Sequence, residues 1–210
     1  TTHDELLAAL GWRACLHKRL GRNTEADADV ERLIEDATRR IEDATGPRRA
    51  SFLHRRAHYH CWLGRYDRAA GDHARAVELV PQNAEYWTAL AAAQVMSADP
   101  AAARASARRA AEVNPDDDEA ASTQAAVLLL AGDDDGYRQL CTDMLARLGE
   151  TKNPRKAYLL ARTGSLAPDA GIDPDRVAQV AQRAVDAGLR DRDCNLHALG
   201  MALYRAGRYE

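Results

Sequence analysis

Apolar residues recur along this chain at helical spacing. Val30, Leu33, Ile34, Ala37 and Ile41 form one such stripe, and Val177, Val180, Ala181, Ala184 and Val185 form another. Each set falls on one face of a helix with 3.6 residues per turn. The breaks between stripes are regular. Gly64, Ala98 and Gly132 stand 34 residues apart, each placed to close the first helix of a pair. Pro81 and Pro115, also 34 apart, close second helices. Composition agrees: 43 alanines against 12 valines and isoleucines together favour helix and leave a sheet short of β-branched residues.

A two-helix period of this length is that of the tetratricopeptide (TPR) repeat. In the unit from Ala84 to Asp117, Trp87, Leu90 and Ala91 occupy positions 4, 7 and 8, and Ala103, Ala107 and Ala110 occupy 20, 24 and 27. A TPR needs a bulky wedge at the first of these and small residues where its helices touch. Leu53, Ala57, Ala69 and Ala76 match in the preceding unit, whose position 24 is His73 in place of a large apolar residue. The fold expected is all-α, a TPR-like right-handed superhelix (an α-α solenoid) of about five helix pairs plus a final unpaired helix. The expected division is a divergent helical pair over 1–47 with an extended second helix, then units 48–83, 84–117, 118–152, 153–190 and a truncated 191–210.

The turn chemistry fits this division. Gly21-Arg22 and Gly207-Arg208 repeat the Gly64-Arg65 turn. Asp133 to Asp135, Asp116 to Asp118 and Asn153-Pro154 read as helix starts, where a short polar side chain satisfies free backbone N–H groups. Asp173-Pro174 closes a loop that begins near Pro168.

Catalytic and cofactor motifs are missing. There is no phosphate loop, no dinucleotide fingerprint and no Gly-x-Ser-x-Gly elbow, so the expectation is a non-enzyme without cofactors. His54, His58 and His60 form the one tempting cluster. His54 and His58 share a helix face, but no His-Glu-x-x-His pattern follows, and Arg55 and Arg56 would repel a cation. No metal site is expected. The four cysteines stand alone and are expected to be reduced, mostly buried small residues. The formal charge of −3 argues against nucleic acid as a partner. The longest uncharged runs are 13 residues, Tyr86–Ala98 and Ala120–Gly132, too short to cross a membrane. The chain starts within apparent helical structure without a methionine, and is expected to be a cytoplasmic piece of a longer protein.

What remains is a surface. On the TPR register, the concave face carries His54, Arg55, His58 and Trp62, then Thr88, Ala92 and Met96, then Ser122 and Ala126. The expected function is a protein–protein interaction scaffold that takes a peptide or helix of a partner in this groove. The rivals are a structural or oligomerisation spacer, self-pairing through an apolar C-terminal edge, and an enzyme with an unrecognised histidine site. Three further segments resemble those of planctomycete proteins in which a TPR region follows a serine/threonine kinase domain or a WD40 array. They are Asp134 to Cys141 with Met144 to Gly149, Leu166 to Ala170, and Ala198 to Glu210. The likeness covers about residues 50 to 210 and implies a signalling-associated binding module.

Overall fold

The computed structural model describes residues 3–187 and 192–209. Among these, eleven helices and no strand occur. They fall into two compact units, Thr1–Ser106 and Ala107–Glu210. The first holds α1 (His3–Arg19), α2 (Asn23–Asp43), α3 (Gly46–Trp62), α4 (Tyr66–Leu79), α5 (Ala84–Met96) and the start of α6 (Pro100–Val113). The second holds the rest of α6, then α7 (Asp118–Leu130), α8 (Asp134–Leu148), α9 (Pro154–Gly164), α10 (Pro174–Asp186) and α11 (Arg192–Arg205). Gly188, expected to end the tenth helix, lies outside the described residues.

The turns are built as the sequence suggests. Gly21, Gly64, Gly132 and Gly207 all have φ near +70°. Each ends its helix with the same pair of bonds, as when Gly64 N donates to Cys61 O (3.0 Å) and Arg65 N to His60 O (2.9 Å). This is the paired capping of a left-handed helix end. The turn at Ala98 makes the same bonds, Ala98 N to Val95 O and Asp99 N to Gln94 O, with Ala98 at φ 61°. A Cβ is unwelcome in that conformation. Ala98→Gly is therefore expected to stabilise the N-terminal unit by about 1 kcal/mol, read as a higher midpoint in thermal melting. A lower midpoint would show that the turn does not hold this conformation. At the other helix ends, Asp117 accepts from Glu119 N and Ala120 N, Asp133 from Gly136 N, Asn153 from Arg155 N and Lys156 N, and Asp173 from Asp175 N.

In the N-terminal unit the core is a cluster of Ile41, Phe52, Leu53, Val77, Tyr86 and Leu90, with Trp87 packed on its edge. Alanines 57, 69 and 93 close a second contact. Trp87 is thus only half-buried, its indole N–H donating to Pro81 O at 2.8 Å; the deeper aromatic is Tyr86, 9% exposed. In the C-terminal unit, Tyr137, Cys141, Leu128 and Ala125 pack with Ala170 of the 165–173 loop. The Tyr137 hydroxyl donates to Thr163 O (2.9 Å) and accepts from Ala167 N (3.3 Å), which ties the loop to α8 and α9. Met144, Leu148, Leu160 and Val180 form one further cluster, and Ala161, Val177, Ala181, Ala198 and Ala202 another.

The cysteines correct an expectation. All four are free, but only Cys141 is buried; Cys61 is half-buried, and Cys15 and Cys194 are exposed. Burial pushes the Cys141 thiol up to about 11, with the neighbouring Tyr137 hydroxyl working against it.

Candidate interaction face

α3 begins with Gly46-Pro47, a proline in the first turn where its missing N–H costs nothing, and ends at the Gly64 turn. Its buried residues are Ala50, Phe52, Leu53, Ala57 and His60. The positions that reach solvent carry the residues singled out above. Arg55 and His58 are exposed, and Trp62 is 39% exposed. On α5, Met96 is 54% exposed, while Thr88 and Ala92 are half-buried. The Thr88 hydroxyl donates to Ala84 O at 3.0 Å within its own helix, so it can meet a partner only as an acceptor.

The face differs from expectation at two places. Ser122, in the C-terminal unit, is 2% exposed and accepts a hydrogen bond from Thr163 Oγ1 at 3.0 Å. α7 packs on α9 there, so Ser122 holds helices together and is no surface residue. Ala126, one turn on, is half-buried. The histidine cluster also has a different membership. His60 turns inward, 6% exposed; burial lowers its pKa, opposed mainly by nearby Asp72. Its place is taken by His73 of α4.

His54, His58 and His73 form a cluster of tilted and edge-to-face rings, with Tyr86 against His54. The His54 ring centroid lies 4.4 Å from His58, 5.0 Å from His73 and 4.7 Å from Tyr86. His54 Nε2 and His58 Nε2 are 3.0 Å apart, so one ring donates its N–H to the lone pair of the other. Glu85 Oε1 sits 3.6 Å from His54 Nε2. The buried Nδ1 atoms of His54 and His73 have no partner among the described residues. Burial is the main cause that lowers both pKa values, His73 to about 3 with the neighbouring His54 and His58 adding to it. For His54 the His58 charge adds to the lowering and Glu85 opposes it. Such rings are held neutral. Among the described residues no group of three or more His, Cys, Asp or Glu side chains is arranged to hold a metal.

Sequence reasoning missed the ion pairs behind this face. Arg13 and Asp29 join α1 to α2 through two bonds of 2.7 and 2.6 Å. Arg56 and Asp72 join α3 to α4 in the same way, at 2.7 and 2.6 Å. Both pairs span 16 residues and lie 43 apart, the step from Gly21 to Gly64. That shared step was the available signal. In the next pair Ser106 stands at the position of Asp72 and donates its Oγ to Gln94 Oε1 at 2.7 Å, one turn beyond Leu90 at the position of Arg56.

No protein-family model matches the sequence, and no curated protein matches it. Solved structures do. A thermophilic TPR protein of Thermus thermophilus, TTC0263, aligns over 94% of this chain and 99% of its own, at 18% identity and TM-score 0.57. A tetratricopeptide repeat protein of Parabacteroides merdae aligns over 96% of this chain and 74% of its own, at 13% identity and TM-score 0.55. The fold is TPR-like. MamA from Desulfovibrio magneticus aligns less fully, over 76% of this chain and 86% of its own, at 17% identity and TM-score 0.50. Identities this low bear on architecture and leave the choice of partner to the side chains. Among the described residues no helix is long and apolar enough to cross a membrane.

Proposed function

We propose that this chain is a non-catalytic protein–protein interaction scaffold that binds a peptide or helix of a partner protein on the exposed side of α3 in its N-terminal unit. One observation carries the reading: Arg55 and Trp62 reach solvent from one side of α3, two turns apart, while its other side is locked in the core. Arginine and tryptophan are the side chains that most often anchor interfaces. The TPR-like fold supports it, since stacked helix pairs present extended surfaces without a catalytic cavity. The attachment to a cytoplasmic signalling protein rests on the sequence resemblance alone.

Trp62→Ala is expected to weaken a captured partner about tenfold with helix content unchanged. Binding by a folded Arg55→Ala, His58→Ala, Trp62→Ala triple variant at the parent affinity would place the interface elsewhere. A second reading, self-association, has its own support in Leu196, Tyr204 and Tyr209, which are 45%, 61% and 76% exposed. Sedimentation of the purified chain decides it: a monomer at all concentrations removes this reading.

A further inference from the structure

Two cavities open side by side between α1 and α3, floored by α2. One, of about 320 Å³, is apolar and lined chiefly by Trp12, Cys15, Val30, Leu33, Tyr59 and Trp62. The other, of about 500 Å³, is lined by Leu7, Arg40, Phe52 and Arg55. Ala8, Gly11 and Tyr59 belong to both, so the two form one continuous groove. Its α3 wall is the stripe Phe52, Arg55, Tyr59 and Trp62, which runs about 15 Å at 1.5 Å per residue.

The chemistry of the two ends differs sharply. At the apolar end Trp12 is 79% and Trp62 39% exposed, two large rings facing water across a greasy hollow. At the other end three guanidiniums surround the Phe52 ring, with Arg40, Arg48 and Arg55 at 5.6, 5.9 and 6.0 Å from its centroid. Arg40 is bonded to Asp36 at 2.8 Å. Arg48 and Arg55 have no carboxylate partner among the described residues. Elsewhere in this unit Arg13 and Arg56 each hold a carboxylate in a two-bonded fork. The groove therefore presents unmatched positive charge beside unmatched apolar surface.

Resting on the peptide-binding reading above, we propose that this groove takes an extended partner segment in which a bulky apolar side chain lies a few residues from one or more carboxylates. The apolar side chain fills the Trp12–Trp62 hollow. The carboxylate lies on Arg55 and Arg48 as a charge-assisted, two-bonded pair. Arginine's planar fork suits that geometry better than lysine's point charge. Small residues make room for the segment: the α1 wall is Ala8 and Gly11 where a larger side chain would fill the gap.

Gly11 supplies the test. A Cβ there meets nothing within 4 Å, so Gly11→Leu leaves the helix intact and fills the groove. The probe is an array of ten-residue synthetic peptides, each with one Leu, Phe or Ile placed one to four residues from one to three Asp. Matched arrays carry Lys or phosphoserine for Asp, and Ser for the apolar residue. The parent chain is expected to bind the Leu/Phe/Ile–Asp peptides and to lose about tenfold with either the Lys or the Ser replacement. Gly11→Leu, with unchanged circular dichroism, is expected to lose them as well, and Arg55→Glu to prefer the Lys set. Equal binding of Asp and Lys peptides, a preference confined to phosphoserine, or undiminished binding by folded Gly11→Leu overturns the groove assignment while peptide binding stands. Binding of no peptide in any array overturns both.

Discussion

Asp72→Ala is expected to destabilise the N-terminal unit by about 3–5 kcal/mol, because it strands a guanidinium that the fold has already removed from water. The Arg56 and Asp72 side chains are 15% and 7% exposed and meet at 2.6 Å, with Arg56 also donating to Thr38 Oγ1 at 3.0 Å. The Arg13–Asp29 pair is the internal control. Its arginine is 51% exposed and can rehydrate, so Asp29→Ala is expected to cost clearly less. The paired substitution Arg56→Met with Asp72→Leu is expected to recover most of the loss. Urea titrations of the parent and the three variants read these differences directly. Equal losses at Asp29 and Asp72 would show that burial of the arginine is not the cause.

The histidine cluster is expected to make the same unit acid-sensitive. In the folded chain His73 takes up a proton only at about pH 3, against an ordinary value near 6.5 in the unfolded chain. Above that ordinary value both states are neutral and the ring leaves stability unchanged with pH. Between it and pH 3 the unfolded chain binds a proton that the fold refuses, so stability falls as pH falls. By pH 5 the loss from His73 alone is about 2 kcal/mol. His54, lowered by the same burial, acts in the same direction. His73→Leu restores the large apolar residue of a TPR at this position and removes an unpartnered buried nitrogen. It is expected to raise stability at pH 7 by about 1–2 kcal/mol and to flatten its slope from pH 7 to 5. A variant with the parent's slope would show that His73 is not the titrating group.

How much of this was legible in the sequence follows from what each feature depends on. The turns at Gly64, Ala98 and Gly132 and the caps at Asp117, Asp133, Asn153 and Asp173 are local: a few neighbouring residues determine them, and the sequence holds those residues side by side. The exposure of Arg55, His58 and Trp62 was legible too, because it follows from helical period. Features that require two helices to meet were not. His73 joins His54 and His58 across the α3–α4 contact, whereas His60, nearer in sequence, rotates to the far side of α3. Arg56 and Asp72 look like ordinary solvated charges until the pairing of their helices buries them. Ser122 reads as a surface serine on its own helix and becomes interior only when α9 packs over it. Trp87 occupies the wedge position, yet Tyr86 takes the deeper place and leaves the indole half out.

Site-specific photocrosslinking tests most directly whether partners meet the α3 side of the N-terminal unit. A photoreactive phenylalanine analogue replaces Trp62 in one version of the chain and Arg75, exposed on α4, in another, and both are irradiated in their native cellular setting. A discrete adduct with one partner polypeptide is expected from position 62, lost when Arg55 is changed to glutamate, and none from position 75. Adducts from position 75 alone, or of equal yield and identity from both positions, would contradict binding on the α3 side.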